Sequence, residues 1–231
     1  ASLDCLGITC ERIEEVQSML PDVPDLPEET VNSILTAIVQ GIQSDRTDAQ
    51  RFSALQALYK SLNFVHKNME VKSERDFIMN SFGVATQSGD PRVRRLAFNC
   101  LDTVAELYYT CLADYMTQIY EITSSAIRND THEEVQVAAI EFWITVAATE
   151  ESMLEEEERL RVEGRNGPAE CKKYVESATG NFVPLLLETL SKHGDDTDED
   201  TYDLRAAGSC CLESFALTVG SQIVHVVLPF V

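Results

Sequence analysis

A helical pattern that recurs about every 42 residues constrains the fold of this chain more than any other feature of its sequence. Residues 90–108 open with Asp-Pro, which favours a helix start because aspartate accepts an orphan backbone N–H and proline fits the first helical turn. Val93, Ala97, Leu101 and Val104 then recur every three or four positions, so they lie on one face of the helix. The segment is therefore predicted to be an amphipathic helix.

Copies of this helix are predicted at 49–62, 134–147 and 202–217, where Ala54, Ala139 and Gly208 stand at the position of Ala97. A small residue at that position lets two helices approach closely. Each copy follows another helical stretch, so the repeating unit is a pair of helices. Units of about 40 to 47 residues are typical of HEAT or armadillo arrays. The sequence predicts an all-α, right-handed HEAT-repeat α-solenoid, a superhelix of antiparallel helix pairs.

The repeat pattern divides the chain into seven segments. They are 1–17, the second helix of a truncated repeat; 27–69, 70–110 and 111–152, three complete repeats; 153–173, an insertion or linker; 174–220, a repeat with an acidic loop at 195–203; and 221–231, the first helix of the next repeat.

The chain is strongly acidic, with 18 Lys and Arg against 39 Asp and Glu and a formal net charge of -21. Such a field repels nucleic acid and anionic membranes and attracts basic partners. No apolar run reaches the roughly 18 residues that a membrane span needs. We therefore expect no nucleic-acid partner and no membrane. The seven cysteines lack zinc or thioredoxin spacing, which is typical of reduced core residues.

The acidic loop concentrates six carboxylates in the nine positions 195–203. Alternating aspartates resemble the start of an EF-hand, but Thr201 stands where its glycine belongs and Ala207 stands where its bidentate glutamate belongs. We therefore expect no bound metal and no cofactor. A solvated linker and an interaction segment both remain open on charge alone.

No catalytic constellation is recognisable in the sequence. His66, His132, His193 and His225 fall in different repeats, and none has a partner at the spacing of a metal site or a nucleophile pair. We expect a protein that is not an enzyme and that presents surfaces to partners.

Several long strings carry a resemblance to a known family. They are "ILTAIVQGI", "SERDFIMNSFGVATQSGDPRVRRLAFNCL", "LYYTCLADYM", "IEFWITVA" and "HVVLPFV". In order and spacing they resemble the importin-beta family of nuclear import receptors, over essentially the whole chain and roughly from its fourth to its ninth repeat. The resemblance implies a karyopherin that works in cytoplasm, nucleus and nuclear pore. The alternative is another HEAT scaffold, such as a phosphatase regulatory subunit or a vesicle-coat adaptor.

The resemblance implies a site for basic partners. The family's acidic loop contacts Ran-GTP and the basic arm of importin-alpha, and basic import signals of cargo have the same charge. The matching residues are Glu141, Asp195, Asp196, Asp198, Glu199, Asp200, Tyr202 and Asp203. Tyr202 stands where the family usually has tryptophan, and Ala148 replaces an acid.

The resemblance also implies grooves between neighbouring first helices that bind Phe-Gly repeats of nucleoporins. The matching residues are Leu35, Thr36, Val39, Glu74, Phe77, Ile78, Tyr115 and Ile122. Spacing alone predicts core positions for the apolar members, whereas the resemblance assigns Val39, Phe77 and Ile78 to the groove. On that basis Ile78→Asp is expected to weaken nucleoporin binding and leave the fold intact. Trp143 is predicted to be a core residue.

Overall fold

The computed structural model describes residues 2–19, 26–43, 45–165, 171–191 and 203–230, and all regular secondary structure in these ranges is helical. The α-helices are α1 Ser2–Met19, α2 Glu28–Ile42, α3 Asp48–Ser61, α4 His66–Glu70, α5 Lys72–Ala85, α6 Pro91–Leu107, α7 Met116–Asn129, α8 Glu133–Val162, α9 Tyr174–Ser191, α10 Leu204–Val219 and α11 Gln222–Val227. Short 3-10 turns cover Leu62–Phe64, Tyr109–Asp114 and Leu228–Phe230.

The chain forms two compact units, Ala1–Leu107 and Tyr108–Val231. In the first unit, α2 pairs with α3 and α5 pairs with α6. The first helices α2 and α5 contact each other, and α3 contacts both α1 and α6. This unit therefore has a layer of first helices and a layer of second helices.

The second unit repeats this arrangement. Helix α7 pairs with α8 and α9 pairs with α10, while α9 contacts α7 and α11 in one layer and α8 contacts α10 in the other. Helix α8 is 30 residues long and continues to Val162, so the first ten residues of the predicted linker 153–173 are helical. Glutamate is a good helix former, and the run at 155–158 extends the helix instead of interrupting it.

Local sequence signals explain several helix ends. Thr47 and Gln50 form a capping box at the start of α3, in which each side chain accepts the other's backbone N–H. Helix α8 ends just before Gly164, whose φ is +72°, and α10 ends at Gly220, whose φ is +61°. Glycine adopts this left-handed conformation without steric strain. Within the described residues, no helix is both long enough and apolar enough to cross a membrane.

The paired helices approach most closely at small residues. A Cβ added to Gly41 of α2 would lie 2.8 Å from Cβ of Ala54, and one added to Gly208 of α10 would lie 2.7 Å from a methyl carbon of Leu190. Ala54, Ala97 and Ala139 are all fully buried. The small-residue position of the repeat therefore lies at buried packing contacts.

Trp143 is at the centre of the aromatic core of the second unit, and only 1% of its surface is exposed. Its ring lies 5.5 Å from that of Phe142, 4.9 Å from Phe182 and 6.1 Å from Phe215. The indole Nε1 donates a hydrogen bond of 3.0 Å to Oγ1 of Thr123. The prediction that Trp143 is a core residue is confirmed.

Gly41→Ala should destabilise the first unit by roughly 1–3 kcal/mol, because the new Cβ overpacks against Cβ of Ala54, which is fixed to the backbone. Gly180→Ala is the matched control, since a Cβ at this position inside α9 meets nothing within 4 Å. The control should gain about 0.5–1 kcal/mol from its better helix propensity. Urea unfolding followed by circular dichroism measures both. Equal effects of the two substitutions would contradict the close approach.

Candidate partner-binding grooves

A groove of about 330 Å³ lies between the first helices α2 and α5, and we refer to it as the α2–α5 groove. It is lined by Asn32, Leu35, Thr36, Val39, Asn68, Ser73, Glu74, Phe77 and Ile78. Six of the eight predicted Phe-Gly residues are among them. Helical geometry explains the grouping, because residues three or four apart share one face of a helix.

The floor and the rim of the α2–α5 groove differ in exposure. Leu35, Val39 and Ile78 are only 6%, 1% and 2% exposed, whereas Phe77 is 55% exposed. Val39 and Ile78 therefore belong to the core and also form the floor of the groove. Because Ile78 is buried, we now expect Ile78→Asp to destabilise the fold as well, since an aspartate there buries a carboxylate without a partner.

A polar clamp that the sequence did not reveal joins the two walls of this groove. Nδ2 of Asn68, on the short helix α4, donates hydrogen bonds of 2.6 Å to Oδ1 of Asn32 and 2.6 Å to Oε2 of Glu74. Asn68 is only 5% exposed, whereas Asn32 is half-buried and Glu74 is exposed, so the donor end of the clamp is shielded from water. The clamp fixes the carboxylate of Glu74 at the rim of a groove whose floor is apolar.

A second groove, of about 260 Å³, lies between the first helices α7 and α9 of the other unit. We refer to it as the α7–α9 groove, and it is lined by Met116, Thr117, Tyr120, Trp143, Tyr174, Ser177, Ala178 and Asn181. Met116, Thr117 and Tyr120 have the same spacing as Leu35, Thr36 and Val39. Tyr174, Ser177 and Ala178 have the spacing of Glu74, Phe77 and Ile78. Counting this spacing along each first helix would have found the groove from the sequence.

The other two predicted Phe-Gly residues lie elsewhere. Tyr115 immediately precedes α7 and Ile122 is on that helix, and both are half-buried. Neither lines the α7–α9 groove. Their predicted role in binding stays a prediction.

A buried carboxylate holds the start of α9 beside this groove. Glu150 of α8 is 1% exposed and accepts hydrogen bonds from the Tyr109 hydroxyl at 2.6 Å and from the backbone N–H groups of Tyr174 at 2.5 Å and Val175 at 3.2 Å. The Tyr109 hydroxyl in turn accepts the N–H of Lys172. Burial raises the pKa of Glu150, and the three hydrogen bonds partly offset that rise. Glu150 thus caps α9 from a neighbouring helix.

Two residues of the predicted basic-partner site lie within the described part of the chain. Glu141 is half-buried on α8. Asp203 caps α10, where its carboxylate accepts the N–H groups of Arg205 at 2.9 Å and Ala206 at 3.0 Å. The remaining six, Asp195, Asp196, Asp198, Glu199, Asp200 and Tyr202, lie outside the described residues. In the described ranges, no cluster of three or more His, Cys, Asp or Glu side chains has a metal-binding arrangement.

No family model matches the sequence, but individual proteins do. The chain is 40% identical over 235 residues to importin subunit beta-1 of Arabidopsis thaliana and 34% identical over 232 residues to that of Schizosaccharomyces pombe. Both matches cover 100% of this chain and 26% of the relative.

Solved structures agree with these relatives. Importin beta crystallised in polyethylene glycol matches with a TM-score of 0.85 and 32% identity, covering 99% of this chain and 27% of that one. A complex of Kap95 with Nup1 matches with a TM-score of 0.84 and 32% identity, covering 99% and 25%. A structure of Kap95p with RanGDP matches with a TM-score of 0.83 and 31% identity, covering 99% and 24%.

Helix pairs arranged in two layers, with grooves between successive first helices, define a HEAT-repeat α-solenoid, and the predicted fold class is confirmed. Within that class, this chain is homologous along its whole length to a segment of importin subunit beta-1. It spans about a quarter of the length of the relatives it matches.

Two substitutions at Glu150 should distinguish what its hydrogen bonds contribute to stability from what its charge contributes. Glu150→Ala leaves three buried donors unpaired and should lower the free energy of unfolding by about 1–3 kcal/mol for each. Glu150→Gln keeps an acceptor without the charge. Since burial raises the folded-state pKa, wild type should lose stability relative to Glu150→Gln as pH rises from about 4.5 through that raised pKa.

Urea unfolding of wild type and both Glu150 variants from about pH 4 to about pH 8 measures these differences. If wild type instead gains stability over Glu150→Gln as the pH rises, the hydrogen bonds outweigh burial and the pKa is lowered in the folded protein.

Proposed function

We propose that this chain is part of a nuclear transport receptor, a carrier that moves between cytoplasm and nucleus through the nuclear pore and does not catalyse a reaction. The observation that carries the proposal is the α2–α5 groove, in which six residues named from sequence resemblance line one pocket. The homology to importin subunit beta-1 and the match to the Kap95–Nup1 complex support it.

The α2–α5 groove has the chemistry that a Phe-Gly repeat of a nucleoporin needs. A phenyl ring requires an apolar floor, which Leu35, Val39 and Ile78 provide, and an aromatic wall, which the exposed ring of Phe77 provides. The peptide N–H groups beside a glycine are accessible, and the clamped carboxylate of Glu74 is a suitable acceptor for them. Burial of one such ring stabilises binding by about 1.5–3 kcal/mol, which suits weak and rapidly exchanging contacts.

The α7–α9 groove is a second site for the same ligand class under this proposal. It repeats the register of the first groove, and the half-buried Tyr120 and Tyr174 give it aromatic surface. Ser177 and Ala178 replace the bulky Phe77 and Ile78, so this groove has less apolar wall. Two weak sites on one chain raise the apparent affinity for a ligand that carries many repeats.

Basic partners are the second part of the proposal. The net charge of -21 attracts lysine-rich and arginine-rich surfaces. We propose Ran-GTP and the basic arm of importin-alpha, or basic import signals of cargo, as partners of Glu141 and the acidic loop. The match to a structure of Kap95p with RanGDP supports a Ran-type partner.

Phe77→Ser should weaken binding of a peptide that carries two Phe-Gly repeats by about tenfold or more, because it removes the exposed aromatic wall. The fold should persist, since the ring is 55% exposed. Titration calorimetry measures the affinity.

Val84→Ser is the matched control for Phe77→Ser. It is on the same helix and is 42% exposed, but it does not line the α2–α5 groove. The Val84→Ser variant should bind the Phe-Gly peptide with the same affinity as wild type. If Phe77→Ser binds as tightly as Val84→Ser, the α2–α5 groove is not the Phe-Gly site.

Neutralising the acidic loop should affect only basic ligands. Replacing Asp195, Asp196, Asp198 and Asp200 with asparagine should weaken binding of a lysine-rich import-signal peptide at low salt, and the loss should shrink above about 0.15 M salt. Binding of the Phe-Gly peptide should be unchanged, because neither groove is lined by a residue of the acidic loop. Fluorescence anisotropy with both peptides over a salt series tests this. Unchanged affinity for the basic peptide at low salt would leave the loop as a solvated linker.

A further inference from the structure

Only one of the two carboxylate oxygens of Glu74 is occupied within the α2–α5 groove. Oε2 accepts a hydrogen bond of 2.6 Å from Nδ2 of Asn68. Among the described residues, Oε1 has no hydrogen-bond or ion-pair partner, and no other charged side chain lines this groove. Because Glu74 is exposed, Oε1 can accept a hydrogen bond from a ligand.

The chemistry of the clamp leaves one orientation for the amide of Asn68. A carboxylate only accepts hydrogen bonds, so the nitrogen of the amide, and not its oxygen, must face Glu74. The same nitrogen also donates to Oδ1 of Asn32 at 2.6 Å. Both of its hydrogens are therefore used, and two acceptors from different helices hold the side chain of Asn68 in place.

The backbone around Asn68 is anchored as well. Asn68 lies on α4, where its neighbour Met69 is fully buried. Nη1 of Arg75, on α5, donates to the carbonyl oxygen of Met69 at 2.6 Å and to that of Glu70 at 3.3 Å. Helix α4 is thus bonded to the helix that carries Glu74. A donor on an anchored element orients its acceptor better than a donor on a loop does.

We propose that Asn68 is a positioning residue that makes the α2–α5 groove selective for a backbone N–H of its Phe-Gly ligand, an inference that rests on the proposed function of this groove. By holding Oε2 of Glu74, Asn68 leaves Oε1 as a single acceptor at a fixed place beside the apolar floor. The groove then selects a peptide whose N–H lies at the matching distance from its phenyl ring. Without Asn68 the ligand must order the carboxylate itself.

Asn68 contributes orientation and no charge, because its amide is neutral. Asn68→Ala therefore leaves the charge of Glu74 in the groove. The substitution should weaken binding of a Phe-Gly peptide by about threefold to tenfold, which corresponds to the cost of ordering one side chain.

N-methylated peptides test the selectivity directly. The probes are a peptide with one Phe-Gly repeat and two versions of it, one methylated on the glycine nitrogen and one on the nitrogen of the following residue. Wild type should bind one of the methylated peptides about tenfold more weakly, because it lacks the N–H that Glu74 accepts. In Asn68→Ala the difference should fall to about threefold or less. NMR titrations of the 231-residue chain measure these weak affinities.

A double-mutant cycle separates positioning from a purely structural role. If Asn68 acts through Glu74, Asn68→Ala should have no effect on affinity in a Glu74→Ala background. Equal losses in both backgrounds, for methylated and unmethylated peptides alike, would mean that Asn68 only maintains the shape of the groove and would overturn the inference. Asn80→Ala is the matched control, since Asn80 is exposed on α5 and does not line the groove. It should bind all three peptides as wild type does.

Reversing donor and acceptor offers a rescue. Asn68→Asp keeps the shape of the side chain but places a second carboxylate beside Glu74, so it should weaken binding more than Asn68→Ala does. Adding Glu74→Gln lets the amide nitrogen at position 74 donate to the carboxylate at position 68, and the amide oxygen stays available to the ligand. Discrimination between the peptides should return. A double variant that unfolds in urea as wild type does and still fails to discriminate would contradict the inference.

Phe77→Ser, titrated with the unmethylated peptide, distinguishes the two possible failures. If it binds as wild type does, the α2–α5 groove is not the Phe-Gly site and the proposed function fails. If Phe77→Ser weakens binding but wild type binds all three peptides equally, the groove is the site and only the role of Asn68 fails.

Discussion

The architecture depends on the close approach of two helices at a small residue within each pair. Gly41 leaves no room for a further carbon against Cβ of Ala54, so α2 and α3 pack closely there, and Gly208 accommodates the side chain of Leu190 between α9 and α10. A single pair cannot bury both sides of its stripes, so each pair must stack on the next. Two layers follow from this, one of first helices and one of second helices.

Grooves are a consequence of that stacking. Small residues such as Gly41 and Ala54 lie inside a helix pair. Larger side chains such as Leu35, Phe77 and Tyr120 lie between successive first helices, where they line pockets. The same register therefore produces a pocket in each unit. The side chains at the register decide its chemistry: Asn68 clamps Glu74 in one groove, and aromatic rings dominate in the other. A repeat array can thus multiply a weak site without a new fold.

The repeat period and the small-residue position were sufficient to predict the helix pairs, because both record buried contacts inside one unit. Spacing assigned Val39 and Ile78 to the core and resemblance assigned them to a groove, and their burial at a groove floor agrees with both. The α7–α9 residues were missed because Tyr115 and Ile122 were assigned to the groove instead of Met116, Thr117 and Tyr120, which have the spacing of Leu35, Thr36 and Val39. The clamp of Asn68 was also invisible, since a polar residue on a five-residue helix carries no periodic signal. Residues 153–162 were assigned to an insertion or linker because they interrupt the repeat pattern before helix breakers such as Gly164, but they continue α8, since glutamate is a good helix former.

Adjacent glutamates on α8 show why charge alone did not reveal function. Glu150 and Glu151 are neighbours in the sequence, but successive helical residues point about 100° apart, so Glu150 faces the core and Glu151 faces an open groove between α8 and the end of α10. Glu150 accepts hydrogen bonds from three donors and caps α9. Burial makes its negative charge unfavourable, and the hydrogen bonds only partly offset that cost. Glu151 instead lies at the surface of α8 and lines an open groove with Leu154 and Leu217. The same residue type therefore has a structural role at one position and is presented to solvent at the next, and only the direction of the side chain separates the two. For a chain with 39 acidic residues, the carboxylates relevant to binding are those beside exposed apolar surface, where a ligand can add burial to attraction.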